Sequence, residues 1–268
     1  MGHTRLGWIP KSKKWSAVVG VVAGEYSGSS SQHSLVDDVN LIAAETLIAA
    51  EAGLTKAIDD PGLKFTFYLL TQLVLAARKD NWKESLARLG ININESSTLF
   101  ELNADFQSAV DRHVFEHHRV TDINEIAIKA AGEALTSIAD KIQINLFGNS
   151  SDELKSAIRE LSTKKGFSDL GQKFFGSFMT RYLNFYLSRI TAAKTGDARI
   201  KQVGEVTSFN RVLQTHCEQS ARIVYDFCGQ WYSKTEFKEG INLDNTSRFL
   251  AVAIKKLQAE LKLQGADI

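Results

Sequence analysis

Proline is nearly missing from this chain: two occur among 268 residues, both before residue 62. Proline removes a backbone donor and breaks helix interiors, so beyond Gly62 nothing forbids long helices. Runs of alternating apolar and polar residues, the mark of a half-buried strand, are not evident either. Cysteine is as scarce, with only Cys217 and Cys228. On one predicted helix they sit about 16 Å apart along the axis, too far to pair. No CxxC pair, EF-hand loop, G-x-S-x-G elbow or G-x-x-x-x-G-K-[ST] loop occurs. Dithiol redox, calcium-loop, hydrolase-elbow and P-loop chemistry therefore have no signature here. Apolar runs fall short of the ~20 residues a membrane helix needs. The basic opening lacks a following apolar core and cleavage site, so no signal peptide is expected. With two unpaired thiols, that points to a reducing, cytoplasmic setting.

What the chain does have is one unusual stretch, Phe167 to Ile190, FSDLGQKFFGSFMTRYLNFYLSRI. At 100° per residue, Lys173, Ser177, Thr180, Arg181, Asn184 and Ser188 crowd into an arc of roughly 100°. Aromatic and aliphatic side chains fill the remaining circumference. A surface helix needs only one apolar stripe, so such a helix has neighbours on several sides. We expect an all-α fold: a globular bundle of about eight to ten helices around a central, aromatic-rich helix spanning 167–192. Ser168 is its expected cap, and Gly196 follows its end. Within that helix Arg189 falls in the apolar arc, where a guanidinium needs a carboxylate, carbonyls or an escape to solvent.

Capping signals divide the rest. Ser12 or Lys13 opens a short helix, and Ser34 with Asp37 opens the next. Asp60–Pro61 ends that one and starts GLKFTFYLLTQLVLAARK, a second helix that reads as core. Asp80 caps a short helix. Thr98 with Glu101, and Ser150 with Glu153, form capping boxes. Thr121–Asp122 begins a helix whose Ile123, Ala127, Ala130, Ala134, Ile138 and Ile142 make a stripe suited to close packing. Ser208 starts an expected single helix through Lys234, and Asn245 or Thr246 caps the last. Residues 1–33 read as a basic arm with a short helix and a Gly/Ser loop, and 34–268 as one domain. Sub-boundaries are possible near 148–150 or 195–206. No fixed-period repeat appears.

Net charge is +1 overall but unevenly spread: +4 over residues 1–20, −8 over 21–150 and +5 over 151–268. Bases and tryptophans interleave in the arm, so Arg5, Trp8, Lys13, Lys14 and Trp15 are candidate partner-binding residues, with Trp231 and Tyr232 as a second group. Such an arm can also stack on bases and grip phosphates. The final helix carries Lys255, Lys256 and Lys262 opposite Phe249, Leu250, Val252, Leu257 and Leu261. That pattern suits a packing helix, a partner face or a membrane surface.

The sharpest chemical pattern is His113-Val-Phe-Glu116-His117. Residues four apart share a helix face, so two imidazoles could hold zinc while Glu116 polarises a bound water. The string resembles the inverted zinc-protease motif. The resemblance covers five residues and implies a third ligand downstream, for which Glu205, His216 and Cys217 are the candidates. The competing explanation is that these histidines decorate a helix C-terminus, where positive charge suits the macrodipole. Cys217 and His216 are adjacent and point about 100° apart on a helix, so they do not form a nucleophile–base pair. The leading expectation is a non-enzymatic helical interaction or scaffold subunit of a cytosolic multi-protein assembly, without a cofactor. The alternatives are a zinc-dependent hydrolase using 113–117, and a nucleic-acid-binding accessory protein, including one of a bacterial defence system.

Overall fold

The computed structural model describes residues 12–25, 34–117, 120–142, 150–197 and 199–266, with the side chains of 138–142 and 266 left aside. Among the described residues there are eleven α-helices, one 3-10 turn and no strand. The all-α expectation holds. In order the helices are α1 (Lys13–Ala23), α2 (Val39–Ile58), α3 (Pro61–Ala76), α4 (Trp82–Ala87), α5 (Leu99–His117), α6 (Asp122–Ile142), α7 (Ser151–Leu161), α8 (Lys164–Lys194), α9 (Val203–Ser220), α10 (Tyr225–Lys238) and α11 (Leu243–Ala266). No helix among the described residues is long and apolar enough to cross a membrane.

Local chemistry sets most of these boundaries. Ser12 accepts the Trp15 N–H at the start of α1, and Gly24 takes the left-handed φ of 75° that ends it. Pro61 opens α3, where its missing donor costs nothing. Asp60 accepts the Leu63 N–H on one oxygen and the Thr121 hydroxyl on the other, at 2.9 and 2.6 Å. Thr121 in turn accepts the Asn124 N–H, so one carboxylate ties the N-termini of α3 and α6 together. Thr98 with Glu101 and Ser150 with Glu153 form the expected reciprocal boxes.

The central helix is α8, 31 residues and about 46 Å long at 1.5 Å per residue. It packs against α6, α7, α9, α10 and the 3-10 turn, and also touches α1 and α2. Phe167, Phe174, Phe175, Phe178, Met179, Tyr182, Leu183, Leu187 and Ile190 are all buried. Phe67 of α3 links four helices: its ring lies 5.1 Å from Phe174, 5.4 Å from Phe175, 5.5 Å from Phe249 and 6.2 Å from Trp231. Small residues let neighbours close in. A Cβ on Gly171 would stand 2.5 Å from the Cys228 sulfur, and one on Gly229 would stand 2.3 Å from the Ser168 hydroxyl. The α8–α10 crossing therefore depends on both glycines. Buried Ala127, Ala130 and Ala134 lie on α6, which packs against both α8 and α3.

Four expectations need correction. Helix α8 starts at Lys164, because Thr163 accepts the Gly166 N–H; Ser168 is buried inside the helix and caps nothing. Asn81, not Asp80, precedes α4. Helix α9 begins at Val203, five residues ahead of Ser208, where Glu205 reaches back to the Lys201 and Gln202 N–H groups. The expected single helix after Ser208 is two, broken by the 3-10 turn Ala221–Val224. That break turns α10 so that Phe227 and Trp231 stack on Phe249 of α11, at 5.0 and 4.2 Å.

The buried guanidinium is Arg199 and not Arg189. Arg189 is half-buried, its guanidinium 4.7 Å from the Phe185 ring centroid. Arg199 sits in the 195–202 connection, which the sequence presented as a linker. It pairs with buried Asp38 and donates to the Val21 and Ser34 carbonyls. That connection is clamped to the ends of α1 and α2, with Ile200 wholly buried beside it. Likewise Trp15, Val18, Val21 and Val22 of α1 join the core. A continuous core runs from Trp15 to Leu261.

Two stability outcomes follow from this packing. Phe178→Ala should lose about 3–5 kcal/mol in urea unfolding if its cavity stays open. Arg199→Met should lose a similar amount, about 3–5 kcal/mol, because it strands the Asp38 carboxylate in the core. Adding Asp38→Asn to Arg199→Met should restore part of that loss; a double variant no more stable than Arg199→Met would mean that the carbonyl contacts alone carry the effect.

Candidate functional site

The polar arc of α8 is where the buried helix meets charge. Ser177 donates to Glu133 of α6 at 2.5 Å, and Arg181 donates to the same carboxylate oxygen at 2.8 Å. The other Glu133 oxygen accepts Gln214 of α9 at 3.0 Å. Gln214 also reaches Glu218, which pairs with Lys173 of α8 at 2.7 Å. Gln172 completes the seam by donating to the Glu218 carbonyl at 3.1 Å. Two carboxylates thus face two cations across three helices. All but Ser177 remain partly open to solvent, and Ser177 is buried. Each Glu133 oxygen already accepts a donor, which leaves it little capacity as a general base. Ser177 is closed to any substrate. The seam is built to hold α6, α8 and α9 in register.

Beside it lies a concavity of about 630 Å³ between α5 and α6. Phe100, Ile128 and Ala104 give it apolar walls, and Asn103, Thr136 and Arg181 add polar groups. The volume falls in the range of small-molecule sites.

The histidine string does not assemble a ligand set here. The His113 ring stacks on Phe65, centroids 3.6 Å apart, and on His117 at 4.9 Å. One His117 ring nitrogen faces the His113 carbonyl at 3.0 Å. Glu116 is exposed. Glu205 serves the start of α9, and His216 and Cys217 are buried in α9. No group of three His, Cys, Asp or Glu among the described residues could hold a metal ion.

The partner-binding candidates divide. Arg5 and Trp8 lie outside the described residues. Lys13 and Lys14 are exposed on the first turn of α1. Trp15 is only 6 % exposed and lies 4.9 Å from the Tyr186 ring. Tyr232 is 1 % exposed, stacked on Phe167 at 4.2 Å, and Trp231 is half-buried in the same aromatic cluster. Trp15 and Tyr232 are therefore core residues: their apolar area is spent on the fold. What the sequence hid is the pair Glu133 and Glu218, which meet the α8 arc from two other helices.

Both thiols are free and buried; burial pushes Cys217 up to about 12 and raises Cys228 as well. Neither is a reactive thiolate at neutral pH. His216 is buried, and its Nε2 has no hydrogen-bond partner among the described residues. Desolvation holds its imidazole below the ordinary histidine range. The unfolded chain therefore takes up this proton at a higher pH than the folded one. Stability should be full above about pH 6.5 and fall as pH drops toward the lowered folded value. His216→Leu should flatten that slope in urea unfolding between pH 5 and 8. Glu51 and Glu95, whose carboxyls are held low by Lys262 and Lys83, act in a lower window and leave this one clear. A wild-type slope unchanged by the substitution would remove His216 as its source.

Comparison with protein-family models, curated proteins and solved structures finds no match to this chain.

Proposed function

We propose that this protein is a non-enzymatic helical interaction subunit of a larger, cytoplasmic assembly. The observation that carries the reading is the pair of outward phenylalanines, Phe115 at 81 % and Phe237 at 91 % exposed. Single exposed apolar residues are ordinary, but an aromatic ring almost wholly in water adds nothing to the fold and gains only when covered. They stand at the C-terminal turns of α5 and α10, on a body whose other large aromatics are mostly sequestered. The internal ion pairs support the same reading. The cations and carboxylates of the α8 seam are matched to one another and leave no converging acid and base. Two free thiols suit a reducing compartment.

Light scattering on the purified chain, with co-purification from its native source, tests this. The expected result is a stable complex with a second kind of chain. Phe115→Glu and Phe237→Glu should leave the melting temperature unchanged while one or both reduce retention of that chain. A strict monomer that retains no protein overturns the proposal.

A further inference from the structure

The C-terminal helices carry a surface that the fold does not use. From the 3-10 turn through α11 there are seven bases and five acids. Arg248 pairs with Asp244, Lys262 with Glu51 and Glu236 with Arg78, and Glu260 accepts Gln264. That leaves Arg222, Lys234, Lys238, Lys255 and Lys256 exposed with no ion pair among the described residues, against only Asp226 and Glu239.

Apolar side chains stand among these bases. On α11, Val252, Ala259 and Leu263 recur at spacings of seven and four, which keeps them within one narrow arc. Val252 is 44 % and Leu263 62 % exposed. Lys255 and Lys256 flank that row. The row continues onto α10, since the Lys256 amine lies 5.6 Å from the Phe227 ring centroid and Ile223, one turn earlier, is 46 % exposed. The opposite side of α11, with Leu250, Ala253, Ile254, Leu257 and Leu261, is wholly buried in the core. The outer face is therefore a second, independent pattern on the same helix.

We infer that the outer face of α10 and α11 docks an acidic amphipathic helix from a partner protein, a conclusion that rests on the interaction reading above. Charge complementarity selects the occupant. Unpaired lysines seek carboxylates, and a thin apolar row between them seeks the leading edge of an amphipathic helix. A lipid surface fits less well, because the broad apolar side of α11 is already committed to the core and little remains to enter acyl chains. A phosphate backbone would cover Val252 and Leu263 without offering them apolar surface.

The test uses the full chain and a labelled helical peptide of leucine, alanine and glutamate with one apolar face. Its lysine twin, phosphatidylcholine–phosphatidylserine vesicles and a DNA duplex are compared by fluorescence anisotropy or co-sedimentation. The glutamate peptide should bind, weaken with added salt, and lose about tenfold or more in affinity with Lys255→Glu/Lys256→Glu and with Val252→Glu. Arg88→Glu, an exposed charge reversal at the end of α4, should leave this binding unchanged. Circular dichroism melting confirms that each variant is folded. No binding of the glutamate peptide, binding untouched by the α11 substitutions, or tighter binding of the lysine twin, vesicles or duplex overturns the inference. If Lys255→Glu/Lys256→Glu leaves the native complex intact, this docking face is wrong while the interaction reading stands.

Discussion

A helix covered on almost every side needs partners for its charged groups, and α8 carries Lys173 and Arg181 along one arc. The fold depends on how that arc is satisfied. Glu133 from α6 and Glu218 from α9 supply the acceptors, with Gln214 bridging the two. Lys173 and Arg181 keep partial access to water, so each pair contributes modestly to stability, and the seam's effect lies in which helices it matches. The aromatic surface drives collapse onto α8, while the seam decides which helices lie where around it. Gly176, opposite Glu218, keeps the α8–α9 spacing short enough for the seam to form.

Much of this was legible in the sequence. The near-continuous apolar circumference of Phe167–Ile190 announced a central helix, and the capping boxes at Thr98 and Ser150 marked helix starts correctly. Local signals worked because they act through neighbours in the chain. They failed where the decision is tertiary. Ser168 has cap chemistry, yet the helix runs through it because its hydroxyl faces Gly229 across a tight crossing. The break at Ala221–Val224 carries no glycine or proline; packing of Phe227 and Trp231 on α11 imposes it.

Arg189 and Arg199 show the same limit for charge. Periodicity could say that a guanidinium fell on an apolar arc, but not that a nearby ring would shelter it. Nor could it say that an arginine in a glycine-containing connection would be drawn inward by two carbonyls and Asp38. Of the candidate site residues, Trp15 and Tyr232 are buried, which the sequence does not reveal, because an aromatic beside bases looks like a contact surface until its neighbours are known. Glu133 had one usable signal: it is the acid beside the small-residue stripe of α6, the helix face destined to lie closest to α8.

The clasp at Arg199 has a consequence for how the molecule is made. Its acceptors lie at Val21, Ser34 and Asp38, some 160 to 180 positions earlier in the chain. Helix α2 also packs along α11, near the other end. During synthesis the first two helices thus emerge from the ribosome long before their permanent partners exist. The side of α2 that α11 covers stays open until α11 has been made. Contacts over such a span form slowly, so α1 and α2 are among the last elements to settle.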